Sequence, residues 1–274
     1  MTYVNFICNS LGDLLISPFR GENPWPAMLA ISFVTSIVFV WAFKVFSNQR
    51  ALKRKKGRML ARALELLIFR HDMIVSVTAF GRLAVANLSY LGELLKPIGV
   101  TLIPALLVLI QLSCWYEYRP FAVGDSILVQ VDFSEDFPLM DGEIQFVPSA
   151  GLQVETESMR VPALNQSNWR LRAEQVGSHW IDVKTDQESV RKQIVVGERL
   201  LKISDRRVSS GFWDELFHPA EPPIENVGPI KQISVQYPHR QLFVAGYEIP
   251  WVIAFLILTM IFGLLIGRVL KVSF

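Results

Sequence analysis

Lys53, Arg54, Lys55, Lys56 and Arg58 place five cations in six consecutive positions, and Arg62 follows one helical turn later. Side chains of this type at this density attract anionic surfaces, anionic lipid among them, in a way that salt screens. A second set is polar without charge and lies inside apolar runs. Ser32, Thr35 and Ser36 are grouped in one run with Lys44 just beyond its end, and Thr101, Pro104, Val108 and Gln111 recur at helical spacing in another. Such groups can hydrate a groove or make polar contacts between neighbouring helices, and spacing does not choose between the two. Residue types suited to covalent chemistry are dispersed. His71, His179, His218 and His239 fall in separate regions, and Glu135, Asp136 and Asp141 fall in a turn-rich acidic loop. No glycine-rich phosphate loop, nucleophile elbow or metal-spaced His/Cys cluster occurs. The chain is therefore read as a non-enzyme with no cofactor and no metal.

The elements that must position these residues begin with three uncharged apolar runs, 26–43, 98–115 and 249–266, of 18 residues each. At about 1.5 Å per residue each nearly matches a hydrocarbon core of about 30 Å. Hydrophobic residues make up 51% of the chain and mean hydropathy is +0.33, ordinary for a protein part membrane and part aqueous domain. Between the first two runs Arg50, Lys53, Arg54, Lys55, Lys56, Arg58, Arg62, Arg70, Arg82 and Lys96 are opposed only by Glu65, Asp72 and Glu93; Arg268 and Lys271 follow the third. The positive-inside rule puts the basic segment and the C-terminus in the cytoplasm and the N-terminus outside. The net charge of +2 hides an asymmetry, because residues 117–248 hold 13 Lys+Arg against 20 Asp+Glu. No specific nucleic-acid partner is indicated.

Taken in order, residues 1–24 carry Val4, Ile7, Cys8, Leu11, Leu14, Leu15 and Ile16 at helical spacing, ended by Pro18. This predicts an amphipathic helix lying in the outer interface. The first transmembrane helix is 25–46. Residues 47–97 form a basic cytoplasmic helical hairpin, whose second helix carries a stripe of Val77, Phe80, Ala84, Leu88, Leu91 and Leu95 expected to pack as a short coiled coil against the first. Its bend falls at Arg70, His71 and Asp72 or at Gly81, and Lys96 and Pro97 close it. The second transmembrane helix is 98–116, the third 249–267, and 268–274 is a cytoplasmic tail. Cys8 and Cys114 both fall near the outer surface, leaving open one disulfide or, the favoured outcome, two free thiols.

From residue 117 the pattern changes to short β-like runs separated by turn residues: SILVQVDF, EIQFVPS, LQVETESMRV, NWRLRAEQ, HWIDVKT and RKQIVVG. They predict an extracytoplasmic Ig-like β domain over 117–197. Residues 198–248 are read as a membrane-proximal segment with a short helix capped by Ser209 or Ser210. That helix carries Phe212, Trp213, Leu216 and Phe217, an aromatic set suited to the headgroup layer. KQISVQY and QLFVAG read as two further strands. The fold class expected is an α-helical membrane protein, three transmembrane helices with a cytoplasmic helical hairpin, plus an extracytoplasmic β-sandwich domain.

An N-terminal interfacial helix, an N-out span, a basic cytoplasmic hairpin and a second span reached through Lys-Pro together resemble the YidC/Oxa/Alb membrane-insertase superfamily. The resemblance is to its short three-span branch of archaeal YidC-like proteins and the third subunit of the ER membrane protein complex. The phrases SLGDLLISPF, FKVFSNQRALKRKK and LKPIGVTLIPALLVLI carry it. It implies a polar groove, lined here by Ser32, Thr35, Ser36, Lys44, Thr101 and Gln111, through which hydrophobic client segments pass into the bilayer. It also implies that Lys53, Arg54, Lys55, Lys56, Arg58 and Arg62 meet nascent clients, a ribosome or a translocon-like partner in a bacterial or archaeal cytoplasmic membrane. The sequence departs from the pattern in two respects: no arginine lies within the groove, and the β domain follows the second span instead of preceding the core. The rival reading is a membrane-anchored interaction protein whose β domain binds a partner.

Overall fold

A computed structural model describes residues 9–10, 12–68, 73–225 and 228–272. Among these residues three helices, α1 (Trp25–Phe46), α3 (Met73–Tyr116) and α5 (Trp251–Val269), are long and apolar enough to cross a membrane. With them, among the described residues, come α2 (Gln49–Ile68), the short α4 (Phe212–Phe217) and ten β-strands. The chain divides into two compact units: residues up to Met28 with Leu107–Val252, and Leu29–Leu106 with the residues from Ile253 onward.

In the second of these units α1 and α5 run in the same direction. Ser36 meets Thr259, Val40 lies beside Gly263 and Lys44 reaches Leu270. On α1, Ile31, Ser32, Thr35, Ser36 and Val40 form the buried stripe, at the three- and four-residue spacing of one helix face. α2 starts where Asn48 Oδ1 accepts the Ala51 N–H at 3.0 Å, an N-cap that its Ala-, Leu- and Arg-rich sequence then propagates.

α3 corrects two expectations. Lys96 and Pro97 do not end a helix: hairpin and second span are one helix of 44 residues, about 66 Å long, with Pro97 and Pro104 inside it. Pro97 and Pro104 leave the Glu93 and Val100 carbonyls without their helical N–H donors; Thr101 Oγ1, between the two prolines, donates to the Pro97 and Ile98 carbonyls at 3.0 and 3.1 Å. The apolar stripe also faces away from α2, with Val77, Phe80, Leu88 and Leu95 all more than 60% exposed. Among the described residues of this stretch Ala79 and Glu93 are buried, and Lys55 of α2 reaches the Ser89 carbonyl and Glu93. Gly81 lies inside α3 and is not the bend; Arg70, His71 and Asp72 lie outside the described residues.

The other unit contains the β domain. β1 (Ser126–Phe133), β3 (Leu152–Val161), β4 (Gln166–Ala173), β7 (Arg206–Val208) and β8 (Ile230–Val235) make an antiparallel sheet in the order β3-β4-β1-β8-β7. β2 (Gln145–Pro148), β5 (Gly177–Lys184) and β6 (Ser189–Val196) make a second, in the order β2-β5-β6, and β9 (Leu242–Val244) pairs with β10 (Tyr247–Ile249). Alternation buries Ile127, Val129, Val131 and Phe133 of β1 and Ser167, Trp169, Leu171 and Ala173 of β4. These apolar side chains join Ile181, Val183, Ile194 and Ile233 in one core, where Phe146 of β2 stacks on Trp169 at 4.7 Å. The domain does not stop at 197. β8 pairs with β1 from Val129↔Val235 onward, so the segment read as membrane-proximal supplies an interior strand.

At the N-terminal side of this unit residues 12–16 are helical and Ser17–Phe19 form a 3-10 turn with Pro18 in its first positions. Val4, Ile7, Cys8 and Leu11 of the expected amphipathic pattern lie outside the described residues. α4 is preceded by Gly211 with no side-chain cap, so neither Ser209 nor Ser210 has that role.

Candidate functional site

The basic hairpin has geometry that the sequence did not disclose. α2 and α3 enclose a groove of about 930 Å³ lined by Lys55, Arg58, Arg62 and Arg82 and floored by small and hydroxyl residues, among them Gly81, Ala86 and Ser89. Two carboxylates set the charge of its rim. Glu93 accepts from Lys55 at 2.8 Å and from Lys96 at 3.2 Å; Glu65 accepts from Arg62 at 2.5 Å and from Arg82 at 3.2 Å. The Arg62 hydrogen bond holds the Glu65 carboxyl below its ordinary range, against the opposing effect of desolvation. Arg58 makes no ion pair among the described residues. Lys53 and Arg54 are exposed, with Arg54 Nε on the Arg50 carbonyl at 3.4 Å; Lys56 is exposed as well.

The polar residues of the apolar helices are placed differently. Ser32, Thr35 and Ser36 are all buried. Ser36 Oγ lies 2.6 Å from the Ser32 carbonyl and 2.9 Å from the Thr259 carbonyl of α5. Ser32 Oγ and Thr259 Oγ1 are buried without a hydrogen-bond partner. This is a polar helix contact, and Thr259, the one hydroxyl of α5, is the member that spacing within α1 could not reveal. Lys44 is exposed and its Nζ lies 3.4 Å from the Leu270 carbonyl. Thr101 turns back on its own helix, and Gln111 is half-buried in the other compact unit. Of the six residues expected to share a lining, Ser32, Thr35 and Ser36 lie together on one buried face of α1.

In the β-domain unit, the last turn of α3 helps enclose a cavity of about 160 Å³ lined by Ser113, Cys114, Tyr118, Asp205, Phe217 and His218, among others. Tyr118 donates to Asp205 at 3.5 Å, and His218 Nδ1 lies 3.7 Å from the same carboxylate. Burial pushes the Tyr118 phenol up to about 12. Desolvation would raise Asp205, but the His218 hydrogen bond and the charges of His218, Arg206 and Lys192 outweigh it and hold the carboxyl below its usual range. Beside the cavity Lys192 is fully buried, its Nζ 2.6 Å from both Glu221 and the Ser204 carbonyl; burial holds its ammonium below the lysine range despite Glu221. Cys114 is a free, buried thiol, and the question of its pairing with Cys8 lies outside the described residues. Among the described residues no group of His, Cys, Asp and Glu could hold a metal ion.

Comparison with known proteins finds no family model, no curated protein and no solved structure that matches this chain. Chemically, the hairpin groove sets cations beside small side chains, an arrangement complementary to anionic and polar groups.

Proposed function

We propose that this chain is an insertase-like membrane factor of the YidC/Oxa/Alb type, in its three-span branch, passing hydrophobic segments of client proteins into the bilayer without covalent chemistry. The observation that carries this reading is the cation-lined groove between α2 and α3, together with the continuity of α3 from groove to span. A segment held at Arg58 and Arg82 can follow α3 toward the bilayer without crossing a joint. The client contact therefore belongs to the groove, with Lys53, Arg54 and Lys56 as its exposed approach; nascent clients, and a ribosome or translocon-like partner, are the expected company. The parallel course of α1 and α5, with Lys44 and Arg268 in their last turns, supports an orientation with both of these ends and the hairpin cytoplasmic.

The test is site-specific photo-crosslinking to ribosome-bound nascent membrane proteins. A side chain at Gly81 would meet nothing within 4 Å, so a crosslinker fits there without disturbing the groove. Client adducts from Gly81, absent from a probe at Val176 on the β domain, are expected. Their absence, with the chain present in the membrane, overturns the reading.

A second reading, a membrane-anchored module whose β domain binds a partner, is favoured by the burial of Ser32, Thr35 and Ser36, with Ser36 bonded to the Thr259 carbonyl of α5, a helix contact in place of an open groove. Its Ig-like form is supported by strand order. With β1 to β6 taken as strands B to G, the sheets read D-E-B and C-F-G, and β8 occupies the place of strand A. Retention of full activity by the β domain alone would favour this reading.

A further inference from the structure

α4 has the sequence FWDELF, and its Phe212, Trp213 and Phe217 are each more than half exposed. The three rings pack on one another, Phe212 edge-on to Trp213 at 5.1 Å and Trp213 stacked on Phe217 at 6.2 Å, and none belongs to the β-domain core. The segment that carries them is pinned at its shoulders: Ser210 N–H donates to the Ile224 carbonyl and Ile224 N–H to the Val208 carbonyl. Its location is set by the end of a span. Phe217 and His218 line the same cavity as Ser113 and Cys114 of the last turn of α3, and the Ile203 N–H donates to the Cys114 carbonyl at 2.7 Å. Tyr116 of that turn stacks on Trp251, the first residue of α5, whose Nε1 donates to Glu117. Asn9 joins the same corner through the Pro219 carbonyl at 2.8 Å and Lys202 at 2.6 Å.

We infer that α4 is a lipid-interface anchor, with Phe212, Trp213 and Phe217 seated in the headgroup layer of the bilayer at the end of α3. The inference rests on α3 crossing a membrane and not on the insertase reading. Aromatic rings concentrate at the membrane–water boundary, where one side of the ring is apolar and the other wet, and the cavity shared with Ser113 and Cys114 fixes α4 at that level. Asp214 and Glu215 accompany the rings, so charge does not draw α4 to anionic lipid. The attraction comes from burial of ring surface, and it persists in salt.

The experiment uses the full chain in phosphatidylcholine nanodiscs, carrying a nitroxide at Trp213→Cys in a Cys8→Ser, Cys114→Ala background. Collision with oxygen is compared with collision with a water-soluble nickel chelate, using Val176→Cys on the β domain as reference. Position 213 is expected to favour oxygen and position 176 nickel, unchanged in about 1 M salt, where charges are screened within about 3 Å. Nickel preference at 213 would place α4 in water, and protection from both reagents would place it against protein; either result overturns the anchor. Because the label replaces the ring itself, a second measurement keeps Trp213. In nanodiscs of brominated phosphatidylcholine, Trp213→Phe should remove part of the lipid-quenched tryptophan emission. An unchanged quenched share also overturns the proposal.

Discussion

Lys192 has no exposed surface, and its ammonium depends on the Glu221 carboxylate and the Ser204 carbonyl. Taking one partner from a buried pair leaves a charge with nothing to offset its desolvation, which costs about 3–5 kcal/mol. Glu221→Gln, which keeps shape but not charge, is expected to lower stability by about 3 kcal/mol, measured by denaturant unfolding of the β domain. Lys192→Met/Glu221→Leu should recover most of that loss. Asp205 gives the pH dependence. Its folded-state carboxyl titrates below its unfolded value of about 3.9, so the folded state favours the ionised form. Its contribution is complete above that value and disappears as pH falls through the lower, folded value. Acid unfolding of wild type and Asp205→Asn should diverge above about pH 4 and converge as pH falls through the lowered folded value, with wild type the more stable. Neither cluster was legible in the sequence. Lys192 shares the buried face of β6 with Val190 and Ile194, and Glu221 lies 29 residues on in a proline-rich link, so only the fold brings them together.

At the scale of elements, α2 stands on its cap. Asn48→Ala is expected to cost about 1 kcal/mol of hairpin stability, and Asn48→Asp to cost little, because only the side-chain acceptor at the N-cap is at stake; helicity and proteolysis of the hairpin report it. Glu93 acts on charge. Since it pairs with both Lys55 and Lys96, Glu93→Gln should strengthen binding of the chain to anionic vesicles, and the gain should fade as salt rises. The helices were legible here while their contacts were not. The stripe from Val77 to Leu95 has true helical period, but period names a face without naming what covers it. Between α2 and α3 the contact face carries Ala79 and Glu93, and the larger apolar side chains point outward. The Lys-Pro pair misled for a related reason: a proline that ends a helix in water can be carried inside a longer one, as Pro97 and Pro104 are in α3.

For the whole molecule, the β-domain core lies entirely between Phe121 and Tyr237. Residues 117–248 made alone should therefore unfold in one cooperative thermal transition; a broad, probe-dependent transition would mean that the span ends are needed to complete it. The alternation within β1, β4 and β5 announced individual strands, and β1 and β3 begin and end where the sequence placed them. The division at 197 failed because a strand's pattern says that it pairs and not with which strand. The signal for β8 was visible, and its position beside β1, about a hundred residues earlier, was not.

That pairing orders events during synthesis. β1 leaves the ribosome long before β8, and until Ile233 and Val235 arrive one edge of β1 has no neighbour. A chain halted before residue 230 would hold β1, β3 and β4 with an open apolar edge, the kind of surface that pairs with other chains. Closing the sheet requires a loop of about a hundred residues, a slow step in a two-sheet topology. α5 follows β10 almost at once, beginning at Trp251, so the β domain closes its sheet while the last span is being delivered. A chaperone for this interval would need to shield a strand edge, and its hold would end when β8 docks.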